Sequence, residues 1–99
     1  MAIHQGDILK IDGISHPALV ASKDFFNTSG EIIACPIISD GEPGPLHIFI
    51  DADNLKGYVQ CEKLALLDMN IRHYSKCGSI HMRDLMNITD AIQGIFDYI

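Results

Sequence analysis

Apolar residues along the first two thirds of the chain fall in short runs separated by small polar clusters; in the last third they recur at helical spacing. Ile8, Lys10 and Asp12 alternate with Leu9, Ile11 and Gly13, which predicts a strand near Asp7–Asp12. Pro17–Ala21 (PALVA) predicts a second strand, and the Gly13-Ile14-Ser15-His16 link is short enough for an antiparallel hairpin. Ser22 stands where it would cap a helical turn over Lys23–Asn27, which Gly30 ends. Phe25 and Phe26 are expected in the core. Glu31–Ile38 is apolar on both faces, as in a central strand, and Pro36 predicts a bulge or strand end near Cys35-Pro36.

Asp40–Pro45 is a loop by composition. Leu46–Ile50 predicts a strand; with Leu46, Ile48 and Ile50 turned to the core, His47 faces outward. Tyr58–Leu67 supplies one or two more strands. Leu85, Ile88, Ile92, Ile95 and Ile99 recur at three- and four-residue steps, an amphipathic helix from about His81 to the C-terminus. Ser79 or His81 is its candidate N-cap, Asp84 suits its positive end, and Gly94 leaves room for a close approach. Strands followed by a helix make the chain α+β, mainly β: a small barrel closed by a helix.

A length of 99 residues is one domain, 1–99, with a single modest core. A hydrophobic fraction of 47% is that of a folded chain rather than a disordered one. No run is long enough to span a bilayer, and the first residues carry neither a basic nor an apolar signal region, so secretion and membrane insertion are not expected. Cys35, Cys61 and Cys77 make an odd set without CxxC spacing, which fits a reducing cytosol. With the five histidines they match no zinc module, so they read as buried small hydrophobes; no metal or other cofactor is expected. Thirteen acidic residues against seven basic ones give a net charge of −6, which disfavours tight non-specific nucleic-acid binding and anionic membrane surfaces. A local basic groove remains compatible with it, because net charge says little about one cleft.

The ordered segments Gly6-Asp7-Ile8, His16-Pro17-Ala18-Leu19-Val20, Phe26-Asn27, Cys35-Pro36-Ile37, Gly57-x-Val59-x-Cys61-Glu62 and Leu67-Asp68, followed by the helix, resemble the MazF/PemK (Kid) toxins, of the fold that also covers the CcdB gyrase poisons. The resemblance spans Gly6 to about Ile95. It implies an SH3-like small β-barrel of antiparallel strands with a C-terminal helix. It also implies a cytoplasmic homodimer that cuts single-stranded mRNA, inhibits growth and is neutralised by a cognate antitoxin. That cleavage is in-line attack of a 2′-hydroxyl on the neighbouring phosphate, which needs a base, an acid and donors for the phosphate.

Kid-like members place an acidic residue after the cysteine of Gly-x-Val-x-Cys, and here it is Glu62, the base candidate. Elsewhere the chain departs from the pattern. Gln60 and His16 stand where arginines are usual, Ile38 stands where threonine is usual with Ser39 beside it, and the long first loop shrinks to Gly13-Ile14-Ser15. Glutamine supplies no charge, whereas a guanidinium is a permanent bidentate phosphate donor. An imidazole can serve as acid, base or cation. The expected site is therefore reduced: Glu62 and His16 catalytic, Ser39 or Gln60 on phosphate oxygens, and Lys63 and Arg72 along the RNA groove. Each has a plainer reading, as an exposed strand residue, a turn histidine or scattered solvated charge. His47 either joins the cleft as a second imidazole or is simply solvated. The alternative function is a catalytically lapsed homologue that binds an antitoxin, an operator complex or another target. A gyrase-poison role lacks the tryptophan near the C-terminus that such poisons carry, and a bare SH3-like interaction module remains open.

Overall fold

The computed structural model describes residues 2–97. Seven strands and two helices follow in chain order: β1 (Asp7–Ile11), β2 (Ala18–Val20), α1 (Asp24–Asn27), β3 (Glu31–Ile38), β4 (His47–Asp51), β5 (Lys56–Gln60), β6 (Ala65–Asp68), β7 (Tyr74–Ser79) and α2 (Met82–Phe96). The strands form one antiparallel sheet in the order β4-β5-β3-β2-β1-β7, with β6 also paired to β3. It curls into a half-barrel that α2 covers, as the order of apolar patterns predicts. No helix among the described residues is long and apolar enough to cross a membrane.

Strand alternation divides the interior between the two faces of the sheet. Ile8, Leu19, Cys35, Ile37, Val59 and Cys61 belong to one buried cluster, which closes on Ile88 of α2. Their neighbours Leu9, Ala18, Val20, Ile32 and Ala34 belong to a second. β3 contributes to both, which is why its sequence is apolar throughout. The approach of β5 to β3 demands a glycine: a Cβ on Gly57 would lie 2.9 Å from the carbonyl oxygen of Ile38.

β7 carries no strand signal in its sequence. Tyr74-Ser75-Lys76-Cys77-Gly78-Ser79 is a half-exposed edge strand held by its ladder to β1, and Lys76 pairs at 3.0 Å with the buried carboxylate of Asp7. Phe25 and Phe26, expected in the core, are 86% and 36% exposed. α1 is a single turn whose inward residue is Asn27, and the Asn27 amide donates to the carbonyls of Ile3 and Ser22. Ser22 does not cap that turn. Its hydroxyl donates to Asn27 and accepts from the Ile33 N–H at 3.0 Å. On α2, His81 takes the N-cap position without a side-chain bond, and Ile95 is 38% exposed. Ile99 lies outside the described residues. Among the described residues nothing lies within 4 Å of a Cβ built on Gly94, so it marks no close contact there.

Ile88 is fully buried between helix and sheet. Ile88→Ala is expected to lower the unfolding free energy by about 2–5 kcal/mol in urea titration. Ile95→Ala is expected to cost less than about 1 kcal/mol, as for a surface change.

Candidate active site

The site begins with a backbone donor that Pro36 lacks. Ile37 gives its N–H to Pro17 O on the β2 side of β3 (2.9 Å), where Ile33 O also accepts from Ala21 (2.9 Å). Alternation therefore turns the backbone of Ile32, Ala34 and Pro36 toward the opposite edge, which β6 and β5 share. At Pro36 that edge has no N–H to offer. Five residues, 60–64, there stand opposite two, Cys35 and Pro36. The surplus chain leaves the ladder as a turn in which the Lys63 N–H donates to Gln60 O (3.1 Å). The irregularity signalled by Pro36 is real, but it is the partner strand that bulges; β3 runs on to Ile38.

Two bonds fix this turn. The Cys61 N–H donates to Leu46 O at 2.8 Å, and the Cys35 thiol donates to Cys61 O at 4.0 Å. Burial pushes the thiol pKa values up, to about 12 for Cys35 and about 11 for Cys61. Both stay protonated near neutrality and are poor nucleophiles. With Cys61 drawn inward, Glu62 and Lys63 are exposed at the turn.

Leu46 just before β4 and Ile48 and Ile50 within it pack on the core, so His47 points outward, and its register partner is Gln60. His47 Nε2 lies 2.9 Å from Glu62 Oε2, and His47 Nδ1 lies 3.2 Å from Glu42 O. Both partners are acceptors. A neutral imidazole has one N–H and satisfies only one of them; the imidazolium satisfies both. The Glu62 carboxylate accordingly raises the His47 pKa above 6.5, and the His47 hydrogen bond lowers that of Glu62 below 4.5. Both shifts favour the charged form of the pair, imidazolium with carboxylate. Its side chains are 30% and 37% exposed, so water screens it and it adds little stability.

The structure places the other candidates in three groups. His16 and Lys63 line one shallow groove with Pro36, on the face that also carries Ala18 and Ala34. Gln60 stands beside His47 in the ladder, its Oε1 buried with no hydrogen-bond partner among the described residues. Ser39 and Arg72 are not brought to the pair. Ser39 is exposed just past β3, Arg72 is half-buried in the β6–β7 connection, and no hydrogen bond or ion pair among the described residues links either to Glu62. Glu62 and His16 do not touch each other; β3 runs between them. From the sequence alone His47 stands open between the cleft and solvent. The signal was the outward position of His47 in a strand whose alternate residues face the core.

A curled antiparallel sheet closed by one helix, with a shallow groove at a strand break, defines a class of small barrel proteins. Residues 5–96 match the model of the PemK-like, MazF-like toxins of type II toxin-antitoxin systems, and the chain belongs to that family. Comparison with individual curated proteins gives no significant match. Among solved structures, MazF in a MazE-MazF crystal from Deinococcus radiodurans is similar with a TM-score of 0.88 at 20% identity, over 97% of both chains. An endoribonuclease in complex with its cognate antitoxin from Mycobacterial species gives 0.84 at 18% identity, over 96% of this chain and 95% of that one. The Mycobacterium tuberculosis toxin MazF-mt6 gives 0.72 at 16% identity, over 100% and 99%.

The imidazole of His47, followed by proton NMR, is expected to titrate above 6.5 and to return toward 6.5 in Glu62→Gln. The pair's small contribution to stability is full between the ordinary values of 4.5 and 6.5. It is lost as pH rises through the raised His47 value or falls through the lowered Glu62 value. An unchanged His47 midpoint in Glu62→Gln would show that the contact does not form in solution.

Proposed function

We propose that the protein is the toxin of a type II toxin-antitoxin system and acts as an endoribonuclease on single-stranded mRNA. The observation that carries this reading is the Glu62–His47 pair, exposed beside a groove in which His16 and Lys63 lie. Family membership and the resemblance to an endoribonuclease–antitoxin complex support it.

In-line transfer puts the base and the acid on opposite sides of the phosphorus. His47 and Glu62 are only 2.9 Å apart, so they serve one side together. Glu62 takes the proton of the 2′-hydroxyl as the 2′-oxygen attacks phosphorus. His47 orients Glu62 and supplies positive charge as the phosphate enters. His16 approaches from the far edge of β3, two strand spacings or about 10 Å across. It gives a proton to the 5′-oxygen as the phosphorus–oxygen bond breaks, leaving a 2′,3′-cyclic phosphate and a 5′-hydroxyl. Lys63 donates to the non-bridging oxygens, and Gln60 offers its amide. Metal is not required for any of these steps.

The chain acts in the cytoplasm as a homodimer, in which two acidic protomers pool their few cations along one RNA path. Its antitoxin covers that path. With a net charge of −6 on the toxin, the antitoxin holds on mainly by apolar contact. Raising salt is then expected to weaken the toxin–antitoxin complex less than one apolar-to-charged change in the antitoxin's binding segment.

Purified protein incubated with a long unstructured RNA is expected to give discrete cuts by primer extension. Glu62→Gln should slow them by about 10²–10⁴-fold, and His16→Ala by a similar factor. Folded wild-type protein that leaves the RNA intact would favour the lapsed, binding-only reading.

A further inference from the structure

We propose that Phe49 and Tyr58 form a stacking platform for one unpaired base of the RNA, immediately beside the Glu62–His47 pair. The inference rests on the ribonuclease reading and adds to it a residue pair that reads the substrate.

Phe49 and Tyr58 face each other directly across the β4–β5 ladder, on the rung next but one to His47 and Gln60. Side chains two residues apart on a strand share a face at a spacing of about 7 Å. The aromatic pair therefore shares the face of His47 and Gln60. The ring centroids are 5.3 Å apart with planes at 61°, an edge-to-face contact. Gly41 backs the Tyr58 side chain: a Cβ there would come within 3.3 Å of Tyr58 Cβ and 3.4 Å of its ring. Tyr58 is thus held from the loop side, while Phe49 is 50% exposed. β4 ends the sheet, so no further strand among the described residues covers that flank.

Charge favours such a platform. Binding through phosphates draws on lysine and arginine, and this chain has seven against thirteen acids. Stacking takes affinity from the face of a base without requiring positive charge. A cross-strand aromatic pair also stabilises a hairpin, but that role needs no exposed ring face. An open ring next to an acid–base pair is placed to hold the nucleotide adjoining the scissile phosphate.

The test uses Glu62→Gln protein, to prevent cleavage, and a short single-stranded RNA spanning a mapped cut. Phe49→Ile, which keeps strand propensity and removes the ring, is expected to weaken binding roughly five- to hundredfold. RNAs made abasic at one position at a time then locate the effect. The loss from Phe49→Ile should vanish for one abasic position and persist for the others. A loss equal at every position, or no loss, overturns the platform while leaving the ribonuclease reading intact. Failure of the Glu62→Gln protein to bind RNA at all overturns both. If thermal melting shows Phe49→Ile unfolded, Phe49→Trp carries the test: tighter binding through a single base position supports the platform, and unchanged binding overturns it.

Discussion

One missing hydrogen-bond donor organises the working face of this protein. β3 is the central strand, paired to β2 along one edge and to β5 and β6 along the other. Pro36 withholds an N–H from the second edge, and the partner chain leaves the ladder there instead of continuing across it. A proline costs little at a bulge and a great deal within an unbroken ladder. Interior and surface are thus separated within three residues. Cys61 goes inward to seal the core, while Glu62 and Lys63 stay outside it.

The placement of His47 depends on the same break. β4 reaches β3 only through β5, and the register that sets His47 opposite Gln60 is the one that Val59 and Ile50 fix by burying against Ile37 and Ile88. A slip of one residue would turn every side chain of β4 to the other face. His47 would then point into the core and Ile48 would take its place. Core packing is therefore what holds an acid–base pair together on the surface, where the pair itself is too exposed to hold the fold. The sign of its electrostatics follows: two acceptors converge on one imidazole, and its second proton is held more tightly because both are satisfied only with it.

Most of the fold is legible in the chain because its core-bearing strands announce themselves through alternation, and α2 through its three- and four-residue period. What escapes is what the backbone alone stabilises. β7 buries little, so its residues carry no pattern; its partners are the main chain of β1 and the Asp7 carboxylate. Phe25 and Phe26 mislead for the opposite reason: they are apolar where a one-turn helix buries an asparagine amide instead. At the candidate site Glu62 is visible from its motif, but its partner is not. His16 and His47 each carry an imidazole at a strand boundary, and only the β4–β5 register decides which meets Glu62. Register is a property of two segments together, so inspection of either one leaves it open.

On the proposed ribonuclease reading, a chain this acidic has to divide its labour by distance. Positive charge is scarce, so it is most effective concentrated at the phosphate that would react; His16 and Lys63 share one groove, and His47 stands on β4 against Glu62. Away from that phosphate, binding has to come from contacts that acidity does not oppose: the faces of bases against exposed rings, and apolar surface against a protein partner. The loss of guanidinium positions and the presence of half-exposed aromatic rings on β4 and β5 are then two aspects of one solution. On the proposed ribonuclease reading, a site built this way would give up long-range attraction for RNA and keep selectivity for an unpaired base at close range, since only an extruded base can present its full face to a ring.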